Sequence, residues 1–233
     1  MKNLVFYLLF CLMLSPTLSA KTYRTTQVIS GPLAEMGQAL LIEAYYRAGE
    51  RVVFELLPSA NALEATNSGE YDAEMFRIDN LQTKYANLIQ IPTSYLSSEN
   101  VVFTRLSDLK VEGYESLKPY SIAYRSSLKA AEIATLGFPK TSQLQDLDSA
   151  LRFMSIGRAD LVVEERWLGL KRIKALKLNN VSLVEPPVDQ LKLYHYVHKD
   201  HVELAAKLDE AFKQMLKDGS AQSIIESVLK NVE

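Results

Sequence analysis

The chain has 233 residues, 26 basic and 28 acidic side chains, a formal net charge of −2, and 48% hydrophobic residues. The charges are nearly balanced and dispersed, with no basic run to attract nucleic acid, and no low-complexity segment or long linker interrupts a compact globular product. A single cysteine, Cys11, rules out an internal disulfide framework.

Residues 1–20 carry Lys2, an apolar stretch over 4–14, a helix-breaking Ser15-Pro16 and small residues Ser19-Ala20 before Lys21. This pattern predicts a secretory signal peptide cleaved after Ala20, and so a periplasmic product. The apolar stretch is shorter than the roughly 20 residues of a membrane span, and no later segment approaches that length. Cys11 lies in the removed segment and follows bulky Phe10, unlike a lipid-anchoring site. The mature chain is therefore expected to be a soluble, cysteine-free monomer that depends on its core.

From there α and β signals alternate. Residues 22–29 read as a strand, and Ser30-Gly31-Pro32 supplies a cap and a first-turn proline for a helix to Ala48 with an apolar stripe of Leu33, Met36, Leu40, Leu41 and Ala44. Residues 51–57 form the next strand, Pro58-Ser59 opens a helix, and residues 72–78 form a third strand. This βαβαβ order implies a parallel sheet with right-handed crossovers. Residues 80–98 show no clean period, and a strand over 100–104 leaves the first lobe.

The second half repeats the logic: a strand over 120–124, a turn Arg125-Ser126-Ser127 offering a serine cap to a helix from Leu128, a helix presenting Leu147, Ala150, Leu151 and Met154, and a strand over 160–163. A short strand over 181–184 ends before Pro186-Pro187. Residues 191–197 then return to the first lobe as a separate strand. A helix over about 200–217, Gly219, and a last helix capped by Ser220 complete the core. The fold expected is α/β and two-lobed, each lobe a mainly parallel sheet flanked by helices, with residues 21–103 and 192–233 in one lobe, 104–191 in the other, and two crossings as the hinge.

One pattern occurs twice. Ser68-Gly69-Glu70-Tyr71-Asp72-Ala73 leads into Glu74-Met75-Phe76-Arg77, and Ile156-Gly157-Arg158-Ala159-Asp160-Leu161 leads into Val162-Val163-Glu164-Glu165. Each reads as a glycine-closed helix, a two-residue turn and a buried strand with charges at its carboxyl end, where α/β sheets bind ligands. Together with the Leu57-to-Ala65 segment, the Ser121-to-Ser127 turn, Tyr196-Val197-His198-Lys199-Asp200 and Lys217-Asp218-Gly219, these pieces make the chain resemble the type II periplasmic solute-binding proteins. The branch resembled serves polar amino acid ABC importers (extracellular solute-binding family 3), and the resemblance covers nearly all of the mature chain. It implies capture of a small polar solute, an amino acid or related carboxylate, by cleft closure, with delivery to an inner-membrane ABC permease, no cofactor and no catalysis.

The chain departs from that family at two places. Amino-acid-binding members usually carry a Thr-x-x-Arg-like segment whose arginine clamps the ligand carboxylate, whereas this chain reads Leu81-Gln82-Thr83-Lys84-Tyr85-Ala86. Members also usually have a glycine where Arg125-Ser126 stands. Arg77, near a strand's carboxyl end, is a replacement clamp or else the ion-pair partner of Glu74 or Asp79. Ser126 and Ser127, beside Arg125, offer hydroxyls and free N–H groups to an anion, or simply cap the helix. Glu164, Glu165 and Trp167 could meet a ligand ammonium, or begin the next helix and pack in the small lobe. Tyr95 and Tyr124 are similar aromatic candidates, and Ser30 and Ser59 lie at strand ends facing the proposed cleft.

His195, His198 and His201 do not converge as metal ligands, because the first two point to opposite faces of a strand. No P-loop, serine elbow, zinc-protease helix or dinucleotide turn occurs. Two alternatives to transport remain. One is an enzyme on the same fold, resembling periplasmic dehydratases with Glu164 or Glu165 as the acid; the other is a ligand-sensing module for a membrane signalling partner.

Overall fold

The computed structural model describes residues 20–230 and Val232. Of the expected signal peptide only Ala20 falls among them. The elements are β1 (Thr22–Gln27), α1 (Pro32–Arg47), β2 (Arg51–Leu56), α2 (Ser59–Asn67), β3 (Ala73–Arg77), β4 (Leu88–Gln90), β5 (Leu96–Thr104), β6 (Ile122–Arg125), α3 (Lys129–Ala134), β7 (Thr141–Leu144), α4 (Leu147–Ser155), β8 (Leu161–Glu165), α5 (Arg166–Leu176), β9 (Ser182–His198), α6 (Val202–Asp218) and α7 (Ser220–Leu229).

The strands run in the order β2-β1-β3-β9-β5-β8-β6-β7, with β4 also paired to β9. Strands β2, β1 and β3 are parallel, as are β7, β6 and β8. Between these two blocks β5 and β9 pair antiparallel with each other and with their neighbours. This makes a two-lobed α/β fold of the type II periplasmic-binding kind. The lobes are joined by a ribbon in which Leu96, Ser97, Ser98 and Glu99 pair with Leu193, Lys192, Leu191 and Gln190.

Each lobe has its own core because its helices carry apolar stripes at helical spacing. Pro32 occupies the first turn of α1, and Met36, Leu40, Leu41 and Tyr45 are buried against α6 and α7. Burying each such side chain contributes about 2 kcal/mol. The second lobe packs one core on each face of its sheet, one around Ile122, Leu161 and Val163, the other around Phe103, Leu151 and Met154. Gly169 sets how closely α5 lies on the second: a Cβ there would stand 2.1 Å from the Phe103 ring.

Several expectations are corrected. Strand β9 runs unbroken through Pro186 and Pro187 instead of ending before them. Its ladder with β5 steps from Val102↔Val184 to Asn100↔Asp189, so both prolines fall in a bulge where no ladder N–H is needed. The expected serine caps are replaced by Gly31, Leu128 and Gly219 at the starts of α1, α3 and α7, none with a side-chain cap bond. Glu164 and Glu165 belong to β8 rather than following it. Strand β7 and the short strand β4 add to the elements expected.

Candidate functional site

A cavity of about 380 Å³ opens between the lobes. Its first-lobe wall is the turn after β1, with Ile29, Ser30, Pro32 and Leu33. Its second-lobe wall is Arg125, Leu128, Ala130, Glu165 and Leu168, and the hinge supplies Ser98, Asn100 and Leu191. The ribbon selects these hinge residues by strand alternation. Ser98 is paired with Leu191 and Asn100 with Asp189 on one face, while Ser97 with Lys192 and Glu99 with Gln190 point to the other. That other face floors a second, larger cavity of about 880 Å³ that also touches Trp167, Tyr95 and Ile225.

Arg125 is the cation of the cleft. Its Nε donates to Glu164 Oε2 at 2.5 Å and its Nη2 to Glu164 Oε1 at 3.0 Å, a two-pronged contact with a fully buried carboxylate. Its Nη1 donates to Ser127 Oγ. The carboxylate is held in turn by the Glu165 N–H, which donates to Glu164 Oε1 at 2.8 Å.

Glu165 ends β8 and caps α5. Its Oε1 accepts from the Trp167 N–H at 3.1 Å and its Oε2 from the Leu168 N–H at 2.8 Å. Burial pushes its carboxyl up to about 7, opposed by those two N–H groups, reinforced by Glu164 and opposed again by Arg125. The cleft thus holds an acid that changes charge near neutral pH.

Arg77 is not on this wall. Its Nη1 donates to Ser59 Oγ at 2.8 Å and its Nη2 to Ser59 O at 3.1 Å, while Nε lies 2.8 Å from Glu74 Oε1 without hydrogen-bond alignment. Glu74 is fully buried and accepts from Thr26 Oγ1; burial raises its pKa against the pull of Arg77. Arg77 and Ser59 therefore join α2 to β3 within the first lobe, the ion-pair role with Glu74 weighed against a ligand clamp. Tyr95 stacks on Phe212 at 4.7 Å and its hydroxyl donates to Met75 O at 2.8 Å, which makes it a core residue. Tyr124 is buried in the second lobe's core. Ser126 is exposed, its N–H donating to Leu144 O at 2.8 Å and its hydroxyl to Gln145 O at 3.3 Å.

Trp167 packs against the core of the first lobe, across the cleft from the lobe that carries it. Around it, a Cβ on Gly31 would stand 3.8 Å from Leu168 Cδ1, and Lys171 Nζ lies 3.3 Å from Glu35 Oε1. The first turns of α5 thus rest on the start of α1. Gly31 has φ 102°, a conformation glycine adopts without strain, and it is this backbone turn, not a lack of space, that calls for glycine there.

The histidines are structural. Buried His195 places Nδ1 3.1 Å from Met75 O, which can only accept, so Nε2 accepts from the Tyr45 hydroxyl at 3.0 Å. His201 pairs with Asp72 at 2.7 Å. Among the described residues no group of three or more His, Cys, Asp or Glu side chains could hold a metal ion, and no helix is long and apolar enough to cross a membrane.

Sequence reasoning missed Ser98, Asn100 and Leu191, whose signal is the period-two alternation of the hinge strands, and the apolar walls Leu33, Leu128 and Leu168, which read as core.

Two lobes around a cleft floored by an antiparallel ribbon define a type II periplasmic binding protein. The chain belongs to the bacterial extracellular solute-binding proteins, family 3, whose model matches residues 21–231. It is 26% identical over 194 residues to an uncharacterized protein of Shewanella oneidensis, covering 78% of this chain and 71% of that protein. The L-cystine-binding protein TcyA of Bacillus subtilis is 20% identical over 185 residues, 79% of this chain and 68% of the relative. Among solved structures, the GluR0 ligand-binding core in complex with L-glutamate matches with a TM-score of 0.71 at 14% identity, covering 91% of this chain and 99% of that one. A histidine kinase sensor domain similar to periplasmic binding proteins matches with a TM-score of 0.63 at 19% identity, covering 89% and 96%.

Proposed function

We propose that this solute-binding protein acts in the periplasm as a monomer. It captures a small polar solute, an amino acid or related carboxylate, between a lobe of residues 21–103 and 192–233 and a lobe of residues 104–191, and delivers it to an ABC-type permease. The observation that carries this reading is the presence of Arg125 and Glu165 on one wall of a cavity whose opposite wall is the other lobe. A ligand bridging the walls favours the closed arrangement by its differential contacts. The leader pattern supports export, and the amino acids named for TcyA and GluR0 support the ligand class. Arg125, Glu165 and Ser30 are the contacts proposed, with Glu164 and Ser127 holding Arg125 in place and no catalytic step assigned.

The test is a thermal-shift screen of residues 21–233, stripped of bound solute, against amino acids, dicarboxylates, small oligopeptides and inorganic anions. A ligand at 1,000 times its Kd adds about 4 kcal/mol of stability. Loss of the hit in Arg125→Ala, with Arg77→Ala still responding, supports the site; a screen without any hit on folded protein defeats it. The similarity to a histidine kinase sensor domain supports a second reading, presentation of the closed form to a membrane signalling partner. Capture of a permease or of a kinase from solubilised membranes, with ligand present, separates the two.

A further inference from the structure

The lining of the cleft narrows the ligand further, on the reading that the cleft is the solute site. A guanidinium has five N–H groups. Glu164 and Ser127 take three of those on Arg125, at Nε, Nη2 and Nη1, leaving one N–H on each terminal nitrogen. Those two form the outer edge that matches a carboxylate. Glu164 is thus a positioning residue: by filling the inner edge it presents the outer one to the cavity.

Glu165 is the acid of the same wall and is fixed through α5, so an ammonium beside a carboxylate has a partner within one rigid surface. Beyond these two groups no side chain lining the cavity carries a charge; Asp189, on the same face of the hinge, stands behind Asn100 and accepts from its Nδ2 at 2.8 Å. The remaining surface is Ile29 and Leu33 from the first lobe, Leu128, Ala130 and Leu168 from the second, and Leu191 from the hinge, with Ser30, Ser98 and Asn100 as neutral polar groups. A third charge on the ligand would be desolvated against branched aliphatic groups without a counter-ion.

We infer that the cleft selects α-amino acids whose side chain is apolar, binding the carboxylate at the outer edge of Arg125 and the ammonium at Glu165. Amino acids with a charged side chain are excluded because the lining satisfies one positive and one negative group and no more.

Isothermal titration at pH 8 with L-leucine, L-methionine, L-lysine and L-glutamate tests this, alongside 4-methylpentanoate, which lacks the ammonium, and isopentylamine, which lacks the carboxylate. Leucine or methionine is expected to bind at least about 100-fold more tightly than lysine or glutamate, and both truncated analogues to bind more weakly than leucine. Equal or tighter binding of lysine or glutamate, abolished by Arg125→Ala, would overturn the selectivity while leaving the cleft as the solute site. Binding of none of the six to folded, ligand-free protein would overturn the selectivity, and the broader screen then decides whether the cleft reading survives. Leu191→Glu provides an independent check, since Leu191 is already 39% exposed and tolerates a polar group. It is expected to raise lysine affinity and lower leucine affinity, and unchanged preferences in that variant count against the inference.

Discussion

Arg125 and Glu164, 39 residues apart in the chain, meet on adjacent parallel strands through two hydrogen bonds, and the carboxylate is fully buried while the guanidinium reaches the cleft. The pair is asymmetric: removing the acid strands a partly buried cation, and removing the cation strands a fully buried acid.

Glu164→Ala is expected to cost about 3 kcal/mol, the lower end for breaking a buried pair, because Arg125 keeps access to water in the cleft. Glu164→Gln retains an acceptor and is expected to cost less. Urea denaturation measures both; a loss below about 1 kcal/mol for the alanine variant would place the pair with ordinary surface ion pairs.

Glu165 gives stability a pH dependence. Its pKa is raised from 4.5 in the unfolded chain to about 7, so its contribution is complete below pH 4.5 and is lost as pH rises through 7. The difference is worth about 3 kcal/mol. Buried His195 acts in the opposite sense: burial lowers its pKa from 6.5 to about 4, against the pull of its backbone partners, and its contribution is lost as pH falls through that window. The two offset each other between about pH 4.5 and 6.5. Unfolding free energies of Glu165→Gln should therefore fall more steeply than wild type on acidification from pH 7 to 4.5, and parallel curves would contradict the assignment. Binding an ammonium requires the charged carboxylate, so amino acid affinity should drop below pH 7 with proton release on binding, measurable by calorimetry in two buffers.

Gly169→Ala should destabilise by about 1–3 kcal/mol, since its Cβ would overlap the Phe103 ring and force α5 off the sheet. Because α5 carries Glu165's N–H partners and Leu168, the same variant should weaken ligand binding. Thermal unfolding with binding isotherms checks both, and a variant as stable as wild type would mean that the ring moves aside freely.

Trp167 is the only tryptophan and packs on the opposite lobe, so its fluorescence reports the gap between lobes. Saturating ligand should shift its emission, and Trp167→Ala should weaken binding without removing the Arg125 contact. Emission unchanged by a ligand that calorimetry shows to bind would mean that this contact stays fixed during closure.

Much of this arrangement was legible because the local signals agree with the global one. The two glycine-closed units at Gly69 and Gly157 do precede buried parallel strands, and the stripe of α1 is its buried face. Strand β7 escaped because Thr141–Leu144 is an edge strand of mixed polarity. The continuity of β9 escaped because a bulge cannot be told from a break when two prolines stand together. In the site, Glu164 and Glu165 were identifiable as types, but their division of labour was not. One faces inward to Arg125 and the other caps α5, and that depends on which face of β8 each side chain takes. Arg77 was ambiguous because its deciding partner, Ser59, lies 18 residues back on another element.

The hinge ribbon has a mechanical consequence. The two lobes bury separate cores, so apart from the Trp167 contact a change in the angle between them leaves both packed and concentrates the deformation in four residue pairs, from Leu96↔Leu193 to Glu99↔Gln190. Of those pairs Ser98 and Leu191 floor the cleft, while Ser97, Lys192, Glu99 and Gln190 floor the hollow on the opposite face. The cleft takes a wall from each lobe, whereas the hollow behind is lined by the first lobe, the hinge and Trp167, so a twist of the ribbon acts on the cleft directly and reaches the hollow through Trp167.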